Sequence, residues 1–191
     1  MKISGKFVLK VAGTLTIIAL VVAALLGVVD MVTRDKIDAI NVEKTNQALA
    51  AVAPEGAEFT PVELSDAAVA AAAAYGTLDS MYEMSTGGYA MKIVASGSQG
   101  SIEMIVGVDG NKALTGVSVV SHSETGGIGT KVINNDPNSA GTPVLDQFIG
   151  MSGAGSLVVG KTVTPISGAT VTSKGITAGC NAALAAVDAM G

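Results

Sequence analysis

The sequence predicts an α+β protein: an N-terminal transmembrane helix followed by one domain with a mainly antiparallel sheet and packed helices. Three observations carry that expectation. Residues 11–29 contain no charge. Between residues 88 and 121, three strand-like segments follow one another with turn residues between them. From residue 172 to residue 190, apolar side chains return at helical spacing.

The first segment, VAGTLTIIALVVAALLGVV, is 19 residues long. At a rise of about 1.5 Å per residue, such a helix spans roughly the ~30 Å hydrocarbon core of a bilayer. A cleaved signal has a shorter apolar region, about 7–15 residues, and a small-residue cleavage site. Neither is read here, so a retained anchor is expected. Lys2, Lys6 and Lys10 precede the run, and Arg34, Lys36 and Lys44 follow it. The counts tie. The α-amino group and the close spacing of the first three Lys favour a cytoplasmic N-terminus. The expected arrangement is a single pass through the cell (inner) membrane, with the domain on the extracytoplasmic side. It divides the chain into a cytoplasmic N-terminus (1–10), the span (11–29), a juxtamembrane helical region (30–75) and the folded domain (76–191).

Residues 30–52 continue as a helix until Ala53-Pro54-Glu55-Gly56, where Pro and Gly both stop it. Residues 67–74 (AAVAAAAA) are a short alanine-rich helix. Residues 88–96, 100–108 and 112–121 are strands, the last two joined by Asp109-Gly110-Asn111, a strong hairpin signal. A Gly-rich loop follows at 124–129. Thr142-Pro143 opens a short helix over VLDQF, with Thr as cap and Pro at the first helical position. Residues 156–159 are a short strand. The C-terminal helix, about 172–190, puts Ile176, Cys180, Leu184 and Val187 on one apolar face.

Composition narrows the function. Of 191 residues, 49% are apolar and 3% aromatic, so Ala, Val, Ile, Leu and Met must build the core. Residues 1–29 hold three Lys and no acid, while residues 30–191 carry 8 basic and 16 acidic side chains. An acidic domain of that kind lacks the basic footprint that nucleic acid requires. One cysteine, Cys180, and one histidine, His122, exclude an internal disulfide and the usual Cys/His zinc sites. Cys180 falls on the apolar helix face, where a free thiol is commonly a small core residue.

Two strings carry chemistry. The first is Ser167-Gly168-Ala169-Thr170-Val171-Thr172-Ser173. Small residues there feed a helix N-terminus, and Gly168 and Ala169 permit close approach to the backbone. Thr170, Thr172 and Ser173 surround the helix start with hydroxyls. The first helical N–H groups lack partners inside the helix, and the dipole is positive there, so the place suits a phosphate. Lys174 stands in the first turn, where a cation is disfavoured unless an anion is near. Plain N-capping by Thr172 or Ser173 accounts for the same residues. The second string is His122-Ser123-Glu124-Thr125-Gly126-Gly127-Ile128-Gly129. Alone it reads as a mobile surface loop.

SGATVT resembles the flavinylation motif of the FMN-binding domain family, Ser/Asp-Gly-Ala-Thr-x-Thr. That family includes the G subunit of the Rnf ion-translocating complex and the C subunit of the Na+-translocating NADH:quinone oxidoreductase. The second string is similar to the family's H-x-E-T-P-G-L-G block, with Gly126 in place of Pro and Ile128 in place of Leu. Losing the Pro frees a backbone angle and loosens the loop.

The resemblance implies FMN joined covalently, by a phosphoester, to the hydroxyl of Thr172. Thr170, Ser173, Ser167, Gly168, Ala169 and Lys174 would lie around the phosphate. Glu124, Thr125, Gly127 and Gly129 would cover part of the isoalloxazine, and His122 is either a flavin neighbour or a capping residue. A Thr hydroxyl needs activation, and the family relies on a dedicated FAD-dependent flavin transferase. The implied function is electron carriage within an Rnf-type complex working between ferredoxin and NAD+, with its other membrane and peripheral subunits and the lipid as partners. The alternatives are the quinone-reductase C subunit, which has the same cofactor and which the length of 191 residues disfavours, and a flavin-free anchored interaction module.

Overall fold

The computed structural model describes residues 5–191, without the side chains at 7, 35 and 38. Lys2, one of the three flanking lysines, lies outside the described residues. The chain divides into two compact units, Met1–Glu43 and Lys44–Gly191.

The first unit is helical. Helix α1 runs unbroken over Gly5–Val52, so the apolar run and the segment after it form one helix. Within it Val8–Arg34 has a mean hydropathy of 2.7, and none of that window is buried. A helix of such length and composition fits a single-pass membrane anchor. Thr14 and Thr16 donate their hydroxyls back to the carbonyls of Lys10 and Ala12, each at 2.9 Å, which satisfies both polar groups within the helix. Arg34 pairs with Asp30 one turn earlier at 2.8 Å, where the charged sequence begins.

The second unit is a five-stranded antiparallel meander, ordered β1-β2-β3-β4-β5. Its strands are β1 (Phe59–Val62), β2 (Thr77–Met84), β3 (Tyr89–Ser96), β4 (Ser101–Val108) and β5 (Leu114–His122). The three strands expected from sequence are β3, β4 and β5, and the Asp109 turn joins the last two. Asp109 closes that turn itself, its carboxylate accepting the N–H groups of Asn111 and Ala113 at 2.8 and 2.9 Å.

Both sheet faces are covered. On one, α2 (Asp66–Ala72) and α4 (Thr170–Met190) pack over Leu78, Met91, Ile93, Ile102, Met104 and Val106. Ser65 caps α2 by accepting the N–H of Ala68. Cys180 is fully buried in this layer, and burial pushes its thiol well above the ordinary range, so it is a core residue and not a nucleophile. On the other face, Ala48, Leu49 and Val52 from the last turns of α1 meet Met84, Ala90, Ile105 and Val120.

Four local expectations change. Residues 142–148 hold only a one-turn 3-10 helix, Asp146–Phe148, capped by Leu145 and not by Thr142. Thr142 is drawn away because its N–H bonds the side-chain oxygen of Asn138. Residues 156–159 form no strand. Only an isolated bridge, Val159 to Val163, remains, because Gly153, Gly155 and Gly160 turn the chain with positive φ. The Gly-rich loop ends in a short helix, α3 (Gly129–Ile133). Strands β1 and β2, which local sequence signals do not reveal, extend the sheet on one side.

Candidate functional site

Helix α4 begins at Thr170, two residues before the expected start. Its N-cap is Ala169, which has no side chain to donate or accept. Neither Thr172 nor Ser173 is therefore the N-cap, and Lys174 begins the second turn, exposed to solvent. Thr172 is the third helical residue and is only 1% exposed. The three hydroxyls of this segment have different surroundings. Ser173 is buried and donates back to the Ala169 carbonyl at 3.1 Å. Thr170 is exposed. Thr172 donates to Oε2 of Glu124 at 2.5 Å, across 48 residues of sequence.

Gly168 precedes this helix start with φ +83, in the left-handed region, and an added Cβ there would meet nothing within 4 Å. In the chain by itself, then, the backbone angle and not crowding calls for glycine at 168. Ser167 beside it is exposed, while Ala169 is buried.

Glu124 lies two residues past the end of β5 and is buried. Its Oε1 accepts the N–H groups of Ser98 and Gln99, at 2.7 and 3.2 Å, from the turn between β3 and β4. Burial acts to raise this carboxyl. The Thr172 hydroxyl, the Gln99 and Ser98 N–H groups and the neighbouring His122 act the other way and hold it below the ordinary carboxylate range. His122 accepts the Glu124 N–H on Nδ1 at 3.2 Å, a capping role at the strand end.

Glycines make this closeness possible. A Cβ on Gly97 would collide with Oε1 of Glu124. A Cβ on Gly129 would stand 2.5 Å from Oε2 and 3.0 Å from the Thr172 hydroxyl oxygen. The loop between is shaped by its own bonds. Gly127, at φ +77, donates its N–H to the Thr130 hydroxyl at 2.8 Å, and the Thr130 N–H returns to the Thr125 carbonyl at 3.3 Å. Next to this knot two aliphatic side chains face solvent: Ile128, 51% exposed, and Val171, 53% exposed. Each is the immediate neighbour of a residue in the knot, Gly129 and Thr172.

Sequence reasoning missed Gly97, Ser98 and Gln99. The only signal they leave is a Gly-Ser-Gln-Gly turn between two strands, and nothing local says that such a turn will clamp a carboxylate.

Comparison with known proteins agrees with this layout. Residues 97–185 match the FMN-binding domain model, a match that begins at the turn holding Glu124 and includes both strings. Residues 1–52 match the RnfG N-terminal region, which ends where α1 ends. The chain carries an FMN-binding domain behind an RnfG-type N-terminal region. It is 29% identical, over 197 residues, to the G subunit of the Na(+)-translocating ferredoxin:NAD(+) oxidoreductase complex of Acetobacterium woodii, covering 94% of this chain and 91% of that one. It is also 29% identical, over 178 residues, to the G subunit of the ion-translocating oxidoreductase complex of Methanosarcina acetivorans, covering 90% of each. In this chain both motif strings converge on one buried hydroxyl–carboxylate contact.

Proposed function

We propose that this chain is the G subunit of an Rnf-type ion-translocating oxidoreductase and relays electrons through FMN bound by a phosphoester to Thr172. The observation that carries the reading is the hydrogen bond between Thr172 and Glu124, which joins the two family strings at one oxygen atom. The residues present fit the group. The start of α4 has no side-chain cap, so its first N–H groups are open to a phosphate. Gly168, Ala169 and Thr170 frame that start. Ile128 and Val171 offer exposed aliphatic surface for a flat ring, with Thr125, Gly127 and His122 on the same loop.

Bound isoalloxazine supplies the one- and two-electron chemistry. The chain's part is to hold the phosphate end at the helix start and to keep the ring against an apolar ledge. Of the three hydroxyls, Thr172 is the attachment point, because Ser173 is committed to the Ala169 carbonyl, Thr170 is exposed, and Thr172 is the one bonded to Glu124. A flavin transferase is the maturation partner, and the remaining subunits of the complex are the electron donors and acceptors.

The test is intact mass and in-gel fluorescence of the full chain made alongside a flavin transferase. Wild type should carry one FMN phosphoester and fluoresce after denaturation. Thr172→Ala and Thr172→Val should show neither, while Thr170→Ala and Ser173→Ala keep the label. A fluorescent Thr172→Ala band would place the attachment elsewhere.

A further inference from the structure

We infer that Glu124 accepts the Thr172 proton during flavinylation, so the substrate chain supplies part of its own maturation chemistry. This rests on Thr172 being the attachment site. Three structural facts point to Glu124. It is the acceptor of the Thr172 hydroxyl bond, at 2.5 Å. It is buried, so the contact is held in a protein environment and not in bulk water. Its other oxygen is clamped by two backbone N–H groups from a different turn, at 2.7 and 3.2 Å.

That clamp matters for access. Thr172 is 1% exposed and its hydroxyl lies against Gly129, so the chain around it must give way for a donor to reach the oxygen. Gly126 and Gly127, on the same loop, lack the Cβ that restricts backbone angles. Glu124 precedes them and is tied to Ser98 and Gln99, so a shift of the loop beyond it would leave the carboxylate in place.

The step balances as a phosphoryl transfer. The donor is a flavin dinucleotide, FAD, presented by the transferase. A bond forms between Thr172 Oγ1 and the phosphorus of the FMN half, the anhydride P–O bond breaks, and AMP leaves. The proton on Oγ1 passes to Glu124 Oε2 and then to solvent. No oxidation or reduction occurs. A free carboxylate is a weak base towards a resting hydroxyl. The transfer becomes favourable as the Oγ1–P bond forms, because the oxygen is then strongly acidic. Once esterified, Oγ1 has no hydrogen to donate, so the 2.5 Å contact belongs to the chain before modification.

The experiment is steady-state flavinylation of the full-length chain in detergent, with purified transferase and FAD, followed by fluorescence and intact mass. Glu124→Gln keeps the size and one acceptor oxygen but cannot take the proton. It should lower kcat about 10²–10⁴-fold, the range of a positioned acid–base group, with the KM for the chain within about twofold of wild type. Glu124→Asp should label faster than Glu124→Gln, because it keeps a carboxylate. Formate should restore part of the rate to Glu124→Ala. Far-UV circular dichroism and thermal melts report folding separately. Wild-type kcat in Glu124→Gln overturns the inference, as does a loss confined to KM, which would make the loop a recognition element for the transferase. If Glu124→Gln is partly unfolded, the order of Asp over Gln and the formate rescue decide; equal rates without rescue overturn the inference. Label that persists on Thr172→Ala would instead overturn the attachment reading itself.

Discussion

At the scale of single residues, the site depends on glycines that serve two different needs. Gly129 and Gly97 are small because a Cβ at either would strike the Glu124 carboxylate. Gly168 is different: it has room for a Cβ but sits at φ +83. A β-branched residue forced into that conformation costs on the order of 1–3 kcal/mol. Gly168→Val should therefore displace the start of α4 and abolish flavin labelling while the chain still inserts in the membrane. Gly168→Asn, which tolerates positive φ, should keep part of the label. Equal loss in both variants would show that close approach of another molecule, not the backbone angle, is what selects glycine. Glu124 also ties stability to pH. Its folded-state pKa lies below the ordinary value, so its contribution is fully present above about pH 4.3 and is lost as pH falls through the lower, folded value.

At the scale of elements, the least expected contact is the end of α1 on the sheet. Gly107 of β4 and Gly116 of β5 are cross-strand partners and form a bare patch. Val52 sits on it, and Thr115 donates its hydroxyl to the Val52 carbonyl at 2.5 Å, capping the last turn of the helix. A Cβ on Gly107 would stand 2.6 Å from that carbonyl oxygen. Gly107→Ala should thus destabilise the domain by about 1–3 kcal/mol, the usual cost of overpacking. Gly110→Ala, where an added Cβ meets nothing, should leave the melt unchanged. Thermal denaturation followed by circular dichroism compares them, and identical melting temperatures would show that the helix end yields freely. Strand β2 illustrates a hidden element. Its register shifts between Leu78 and Ser80, so Leu78 and Met81 face one core three residues apart, while Met84 is buried on the other face, and the alternation that marks a strand is lost. Strand β1 is short, lies at the sheet edge and contains Pro61, a residue that edge positions accept.

At the scale of the whole molecule, charge and hydropathy govern placement. The lysines at 2, 6 and 10 stand before an uncharged run, and the chain beyond residue 29 is strongly acidic. Positive charge is retained on the cytoplasmic side, so the expected topology is N-terminus in and domain out. An alkaline phosphatase fused after Gly191 should be active in a bacterial host, and a fluorescent reporter that matures only in the cytoplasm should stay dark at the same junction. The opposite pair of results would invert the topology and would require flavinylation to occur in the cytoplasm.

Much of this protein is local in origin and therefore legible from the chain alone. The anchor, the hairpin at Asp109-Gly110-Asn111 and the amphipathic C-terminal helix follow from hydropathy, turn chemistry and periodicity over a few neighbouring residues. The two strings also stand out locally, but Thr172 within the first is singled out only by the resemblance to the flavinylation motif. What pairs with Thr172 could not. Glu124 is 48 residues away, and its partners Ser98 and Gln99 lie on another turn, so only the closing of β3, β4 and β5 beneath α4 brings them together. The physical reason is that periodicity and capping report on contacts between near neighbours in sequence. A buried hydrogen bond between distant segments depends on how the sheet and helix pack, which no short window of sequence contains.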